Sequence, residues 1–144
     1  MATRIDLGIA MGSGPQFTRW TIPYTDLTAA ALVQSVNLFT LNQGGIILGV
    51  RIKHTTAFAG TAWSATTVSV GWASDYTAFA SAFDIFQAVA DTTLQNTSEF
   101  KCVTNAAAGT AVVARFTSVG GNLSAGTAGA VNIDVLYLQP SVAV

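Results

Sequence analysis

The feature that most limits what this chain can become is a period of two. Short runs in which apolar and polar side chains alternate recur from residue 17 to residue 138, separated by clusters of glycine, serine, threonine and asparagine. Extended backbone throws successive side chains to opposite faces, so each run makes a strand with one dry and one wet side. Phe17 to Tyr24 alternates in this way, and Pro23 marks a strand end or a sheet edge. Leu32 to Leu41 follows and stops at the turn Asn42-Gln43-Gly44-Gly45. In GGIILGVRIKHTTAF, residues 44–58, the rule places Ile46, Leu48, Val50 and Ile52 inward with His54 in the same phase, and turns Arg51, Lys53 and Thr55 outward. Thr66–Trp72 points Val68, Val70 and Trp72 inward, Leu94–Cys102 is a short strand, and Thr110–Ser118 buries Val112, Ala114 and Phe116. The last run sets Val131, Ile133, Val135 and Tyr137 against Asn132 and Asp134.

Sustained spacing of three and four occurs once, at Tyr76, Phe79, Phe83 and Phe86, and predicts one short helical segment within residues 75–90. The first sixteen residues carry Gly8, Gly12, Gly14 and Pro15 and read as an extended arm rather than a paired strand. The expected fold is therefore all-β: an antiparallel sandwich or barrel of about seven or eight short strands, with turn signals between them. A single domain over residues 17–144 follows an arm over residues 1–16.

Composition narrows the function. Only 9% of the 144 residues are charged, against 51% hydrophobic, and the formal net charge is −1. Soluble chains usually carry about a quarter charged residues. So weak a field gives nucleic acid and anionic membranes little to bind. No apolar run approaches the roughly 20 residues needed to span a bilayer as a helix, and the opening MATRIDLGIAMGSGP does not read as a secretory leader. A surface this short of charge suits a protein partly covered by copies of itself or by a larger assembly.

Catalytic constellations are not found. His54 is the one imidazole and Cys102 the one thiol, no nucleophile elbow is present, and a lone cysteine is more often a small hydrophobe than half of a dyad. Asp84, Asp91 and Glu99 fall on separate local structures with no reason to converge as a carboxylate pair. One histidine and one cysteine supply no zinc spacing, and no calcium loop occurs. Gly12-Ser13-Gly14-Pro15 precedes a strand, whereas a phosphate loop opens a helix. No enzyme activity, cofactor or metal is expected. Trp63, in a loop of small residues, is the aromatic expected to be exposed and able to anchor a contact.

Four runs, YTDLTAAALVQSVNLFTL (24–41), GGIILGVRIKHTTAFAG (44–60), SAFDIFQAVADTT (81–93) and GGNLSAGTAGAVNIDVLYL (120–138), resemble small virion-associated proteins encoded in the structural modules of tailed bacteriophages. That resemblance implies a jelly-roll-like decoration, or cement, protein. It implies binding to the major capsid protein on the outside of the head, commonly as a homotrimer, after synthesis in the host cytoplasm. On this reading the arm with Arg4, together with Phe17, Arg51, Lys53 and Trp63, supplies the interfaces. The other reading is a tail, neck or fibre component, or a host-glycan-binding module on the same sandwich architecture.

Overall fold

The structure, a computed structural model, describes residues 2–6, 14–42, 44–86, 88, 95–96, 101–102 and 110–139. Among the described residues ten strands run in chain order: β1 (Thr3–Asp6), β2 (Gln16–Pro23), β3 (Val33–Leu41), β4 (Ile46–Gly60), β5 (Ala65–Trp72), β6 (Asp75–Asp84), β7 (Gln95–Asn96), β8 (Lys101–Cys102), β9 (Thr110–Val119) and β10 (Gly126–Leu138). Seven have eight residues or more, as the alternation predicts. The helical content among the described residues is two 3-10 turns, Tyr24–Asp26 and Leu123–Ala125.

The strands form two antiparallel sheets packed face to face. One has the order β1-β2-β10-β4-β7, with β8 also on β4; the other is β3-β9-β5-β6. Chain ends pair with chain ends: β2 with β10, β3 with β9, β4 with β7 and β8, and β5 with β6. A long antiparallel ribbon rolled up in this way is a jelly roll.

The inward residues of both sheets make one core. Trp20 and Ile22 of β2, Val50 and Ile52 of β4, and Val131, Ile133 and Val135 of β10 pack towards Val68, Val70, Val112, Ala114 and Phe116 of the other sheet. Aromatic rings cross the gap: Phe39 stacks on Trp20 at 5.2 Å and on Tyr137 at 4.5 Å between centroids, and Phe58 meets Phe116 at 6.1 Å. Each fully buried side chain of this kind contributes roughly 1.5–3 kcal/mol of transfer free energy.

Three expectations are corrected by the fold. Residues 75–84 are strand β6 and not a helix. Val68 faces Phe83 and Val70 faces Ala80, so three residues of β6 span two of β5. A bulge of this kind turns a period of two into a local spacing of three, which is what mimics a helical stripe. In β4 the inward phase slips by one between Gly49 and Ile47, again at a register shift, so Ile47 is buried where Leu48 was expected. The arm begins as a strand: Thr3–Asp6 pairs with Thr21–Thr18 of β2 and satisfies backbone groups that β2 would otherwise leave open. Residues 7–13 of the arm lie outside the described residues. So does much of the expected strand 94–102, of which Gln95–Asn96 and Lys101–Cys102 are described, both laid on β4.

Candidate interaction surface

Alternation along β2, β10 and β4 sends one set of side chains away from the core, and the register of these three strands decides which of them meet. Arg19, Asp134 and Arg51 stand directly opposite one another across the sheet. Their side chains close into a triad. Arg19 donates from Nε to Oδ1 of Asp134 at 2.6 Å and from Nη2 to Oδ2 at 2.9 Å. Arg51 donates from Nε and Nη2 to Oδ2 at 3.0 and 2.6 Å. The carboxylate is covered, at 3% exposure, while the Arg19 and Arg51 side chains keep 31% and 43%. Burial alone would push the Asp134 carboxyl up; the hydrogen bonds from Arg19 and Arg51, with their charges, outweigh it and hold it below the ordinary carboxylate range. The hydrogen bond to Asp134 raises the Arg19 guanidinium in turn.

The neighbouring rows are ordered too. On one side Phe17 and Leu136 pair beside Gly49, and the Arg51 guanidinium lies 5.6 Å from the centre of the Phe17 ring. On the other, Thr21, Asn132 and Lys53 form a row in which Thr21 Oγ1 donates to Asn132 Oδ1 at 2.9 Å. The face thus runs from apolar, through two pinned guanidiniums, to a polar row ending in an ammonium. Three of the chain's six lysines and arginines are on it.

Of the residues that sequence reasoning singles out, this face brings together Phe17, Arg51 and Lys53. Arg4 sits on β1 opposite Trp20 of β2. Trp63 is not exposed, and that expectation is corrected. It is 7% exposed and folds over the end of the sandwich, where its Nε1 donates to the Asn122 carbonyl at 2.9 Å. Gly60 and Gly121 make the slot: a Cβ on either would collide with the indole or the backbone beside it. Trp63→Phe should therefore lower stability by about 1–2 kcal/mol, through the unpaired carbonyl and the lost contact area, with the urea midpoint as readout. Sequence reasoning does not single out Arg19 and Asp134 as site residues. Their alternation is readable, but nothing local says that β10 inserts between β2 and β4.

The remaining chemistry stays dispersed. His54 is buried in the core with its ring 5.8 Å from that of Phe83. Cys102 lies opposite Ile46 and His54 is eight positions along the same strand, about 26 Å away at 3.3 Å per residue. Asp84 is on β6, while Asp91 and Glu99 fall outside the described residues. Among the described residues no three histidine, cysteine, aspartate or glutamate side chains are grouped to hold a metal, and no helix is long and apolar enough to cross a membrane.

No family model and no curated protein matches this chain. Solved structures do. A chain of the structure described as "Cyanophage Pam1 capsid asymmetric unit" aligns with a TM-score of 0.62 at 22% identity, covering 92% of this chain and 90% of that one. A chain of "Acidic stable capsid structure of Helicobacter pylori bacteriophage KHP30" aligns with a TM-score of 0.61 at 19% identity, covering 98% and 95%. At these identities the likeness is one of fold, and it extends over nearly the whole of each chain.

Proposed function

We propose that this protein is a structural component of a phage virion, a decoration or cement protein that binds the major capsid protein on the outer surface of the head and acts as a homo-oligomer, with a trimer as the expected state. The observation that carries this reading is the near full-length match in fold to chains of two phage capsid structures. The low charge and the jelly-roll architecture support it, and so does a sheet face on which the Arg19 and Arg51 guanidiniums are held in place by Asp134. Such a protein works by addition: many copies, each with a modest interface, together stiffen a shell far beyond what one contact supplies. No reaction is assigned to it, and screening against esters, glycosides and peptidoglycan is expected to give no turnover.

The test is co-sedimentation of purified protein with phage heads that lack it. We expect saturable binding, with more resistance of the loaded heads to heat or osmotic shock. Absence of binding to heads, together with binding to tails or to a bacterial surface polysaccharide, would replace this reading with the tail, fibre or glycan-binding one.

A further inference from the structure

We propose that β3 pairs edge to edge with β3 of a second copy about a two-fold axis, so that the four-stranded sheets of the two copies become one; this goes beyond the reading above and does not depend on it. β3 is the outer strand of the β3-β9-β5-β6 sheet and is bonded to β9 on one side. The Ser118 amide donates to the Leu32 carbonyl at 2.8 Å, and Val33 stands opposite Thr117. Bonded and non-bonded positions alternate along an antiparallel ladder. Leu32, Gln34 and Val36 therefore turn their backbone groups to β9, while Val33, Ser35 and Asn37 turn theirs to the open side. Among the described residues nothing pairs with that row of N–H and C=O groups. Such a row fits one kind of occupant, an extended strand.

The strand of this chain that matches it is β3 itself. Proteins guard sheet edges with charges, proline, bulges, short strands or a covering strand. Here β2 is covered by β1, and β4 by β7 and β8. β1 has four residues, among them Arg4 and Asp6. β6 has two register shifts against β5 and exposed Asp75 and Asp84. Over Val33 to Asn37, β3 has no such guard: its register shift comes after Asn37, and no charged residue or proline occurs from 27 to 50. A two-fold axis sets a strand against itself, which a charged edge resists and this one does not. With the axis at Ser35, that residue faces the partner's Ser35, and Val33 faces the partner's Asn37. All three open positions then become bonded pairs, with about six backbone hydrogen bonds, and the contact closes at two copies. Arg115, beside Ser35 on β9, reaches the other way, its guanidinium 4.0 Å from the centre of the Tyr76 ring. The two copies of it would stand three strand spacings apart, about 14 Å, beyond a Debye length at physiological salt. Leu32, 48% exposed, sits at the start of this edge, where an added strand covers it.

Sedimentation velocity over a concentration series, with cysteine crosslinking, tests this. The parent should show a reversible doubling of mass as concentration rises. Ser35→Lys, at an exposed position, should melt like the parent and weaken the doubling at least about tenfold, because the axis brings the two ammoniums together. Ser35→Pro removes an amide that β9 does not use, a change an edge strand tolerates, and should weaken it as much. In a Cys102→Ser background, Ser35→Cys should form a disulfide-linked pair on mild oxidation, since bonded positions stand about 5.5 Å apart between Cα atoms. Thr40→Cys, exposed on the same strand, should not. A chain that never doubles, or one whose doubling ignores both Ser35→Lys and Ser35→Pro, overturns the proposal, and so does Thr40→Cys linking as readily as Ser35→Cys. A chain that stays single while Ser35→Lys abolishes its binding to phage heads also overturns it, and makes the edge a seat for a strand of the capsid. Doubling as described, with no binding to heads, leaves this contact standing and sinks the proposed function instead.

Discussion

Replacing Asp134 with alanine should lower the stability of this protein by about 2–3 kcal/mol, a drop in Tm of about 5–10 °C for a chain of this size. The carboxylate is buried and accepts four hydrogen bonds from two guanidiniums. Its removal leaves Arg19 and Arg51 facing each other across β10 with nothing between them. Cutting one partner from a buried ionic cluster typically costs about 3–5 kcal/mol; both arginines are part-exposed here and recover some hydration, which sets the smaller figure. The pH dependence follows from the same geometry. The folded-state pKa of Asp134 is depressed below the unfolded value of about 3.9, so on acidification the unfolded chain takes up this proton first. The stabilisation is complete above that value and is lost as pH falls through the folded pKa. Chemical denaturation at pH 7 and at successively lower pH should show the gap between parent and Asp134→Ala closing below about pH 4. A gap that stays constant with pH would mean that packing, and not the ionised carboxylate, carries the effect.

Gly129→Ala should cost more, about 3–4 kcal/mol, although it adds one methyl group. Gly129 sits in β10 at φ 135, a conformation open to glycine and closed to L side chains. It lies between register shifts that flank Ala128 and Ala130, where β10 passes Phe58 of β4. A Cβ there would enter the Phe58 ring, which is itself buried and packed towards Phe116. Backbone strain and overpacking therefore add. Thr127→Ala, at an exposed position of the same strand, should stay within about 0.5 kcal/mol of the parent. Phe58→Leu in the Gly129→Ala background should relieve the collision and not the strain, so the double variant loses less than the two singles summed. Thermal melts followed by circular dichroism settle the ranking, and a loss below about 1 kcal/mol for Gly129→Ala would show that the ring can move aside.

Much of the candidate face is legible in the alternation alone. Arg51 and Lys53 stand out of phase with Val50, Ile52 and His54, and Asn132 and Asp134 out of phase with Val131 and Ile133. Each strand thus announces which of its residues point outward. Two of the expectations that fail do so where one extra residue enters a ladder. At Phe83–Ala80 and at Gly49–Ile47 a register shift changes the phase, and no local composition marks it. Trp63 fails differently: a loop of small residues looks like a place to expose an indole, and here the missing side chains of Gly60 and Gly121 leave the room in which the indole is buried.

The sequence by itself determined that this chain makes strands, about how many, and that each has a core side and an outer side. Those properties belong to consecutive residues, whose directions backbone geometry sets two at a time. Tertiary structure alone decided that β10 lies between β2 and β4, bringing Asp134 to Arg19 across 115 positions and to Arg51 across 83. Strand order is a choice among distant partners, made by how the whole ribbon buries its apolar side at once, and no window of neighbouring residues contains it.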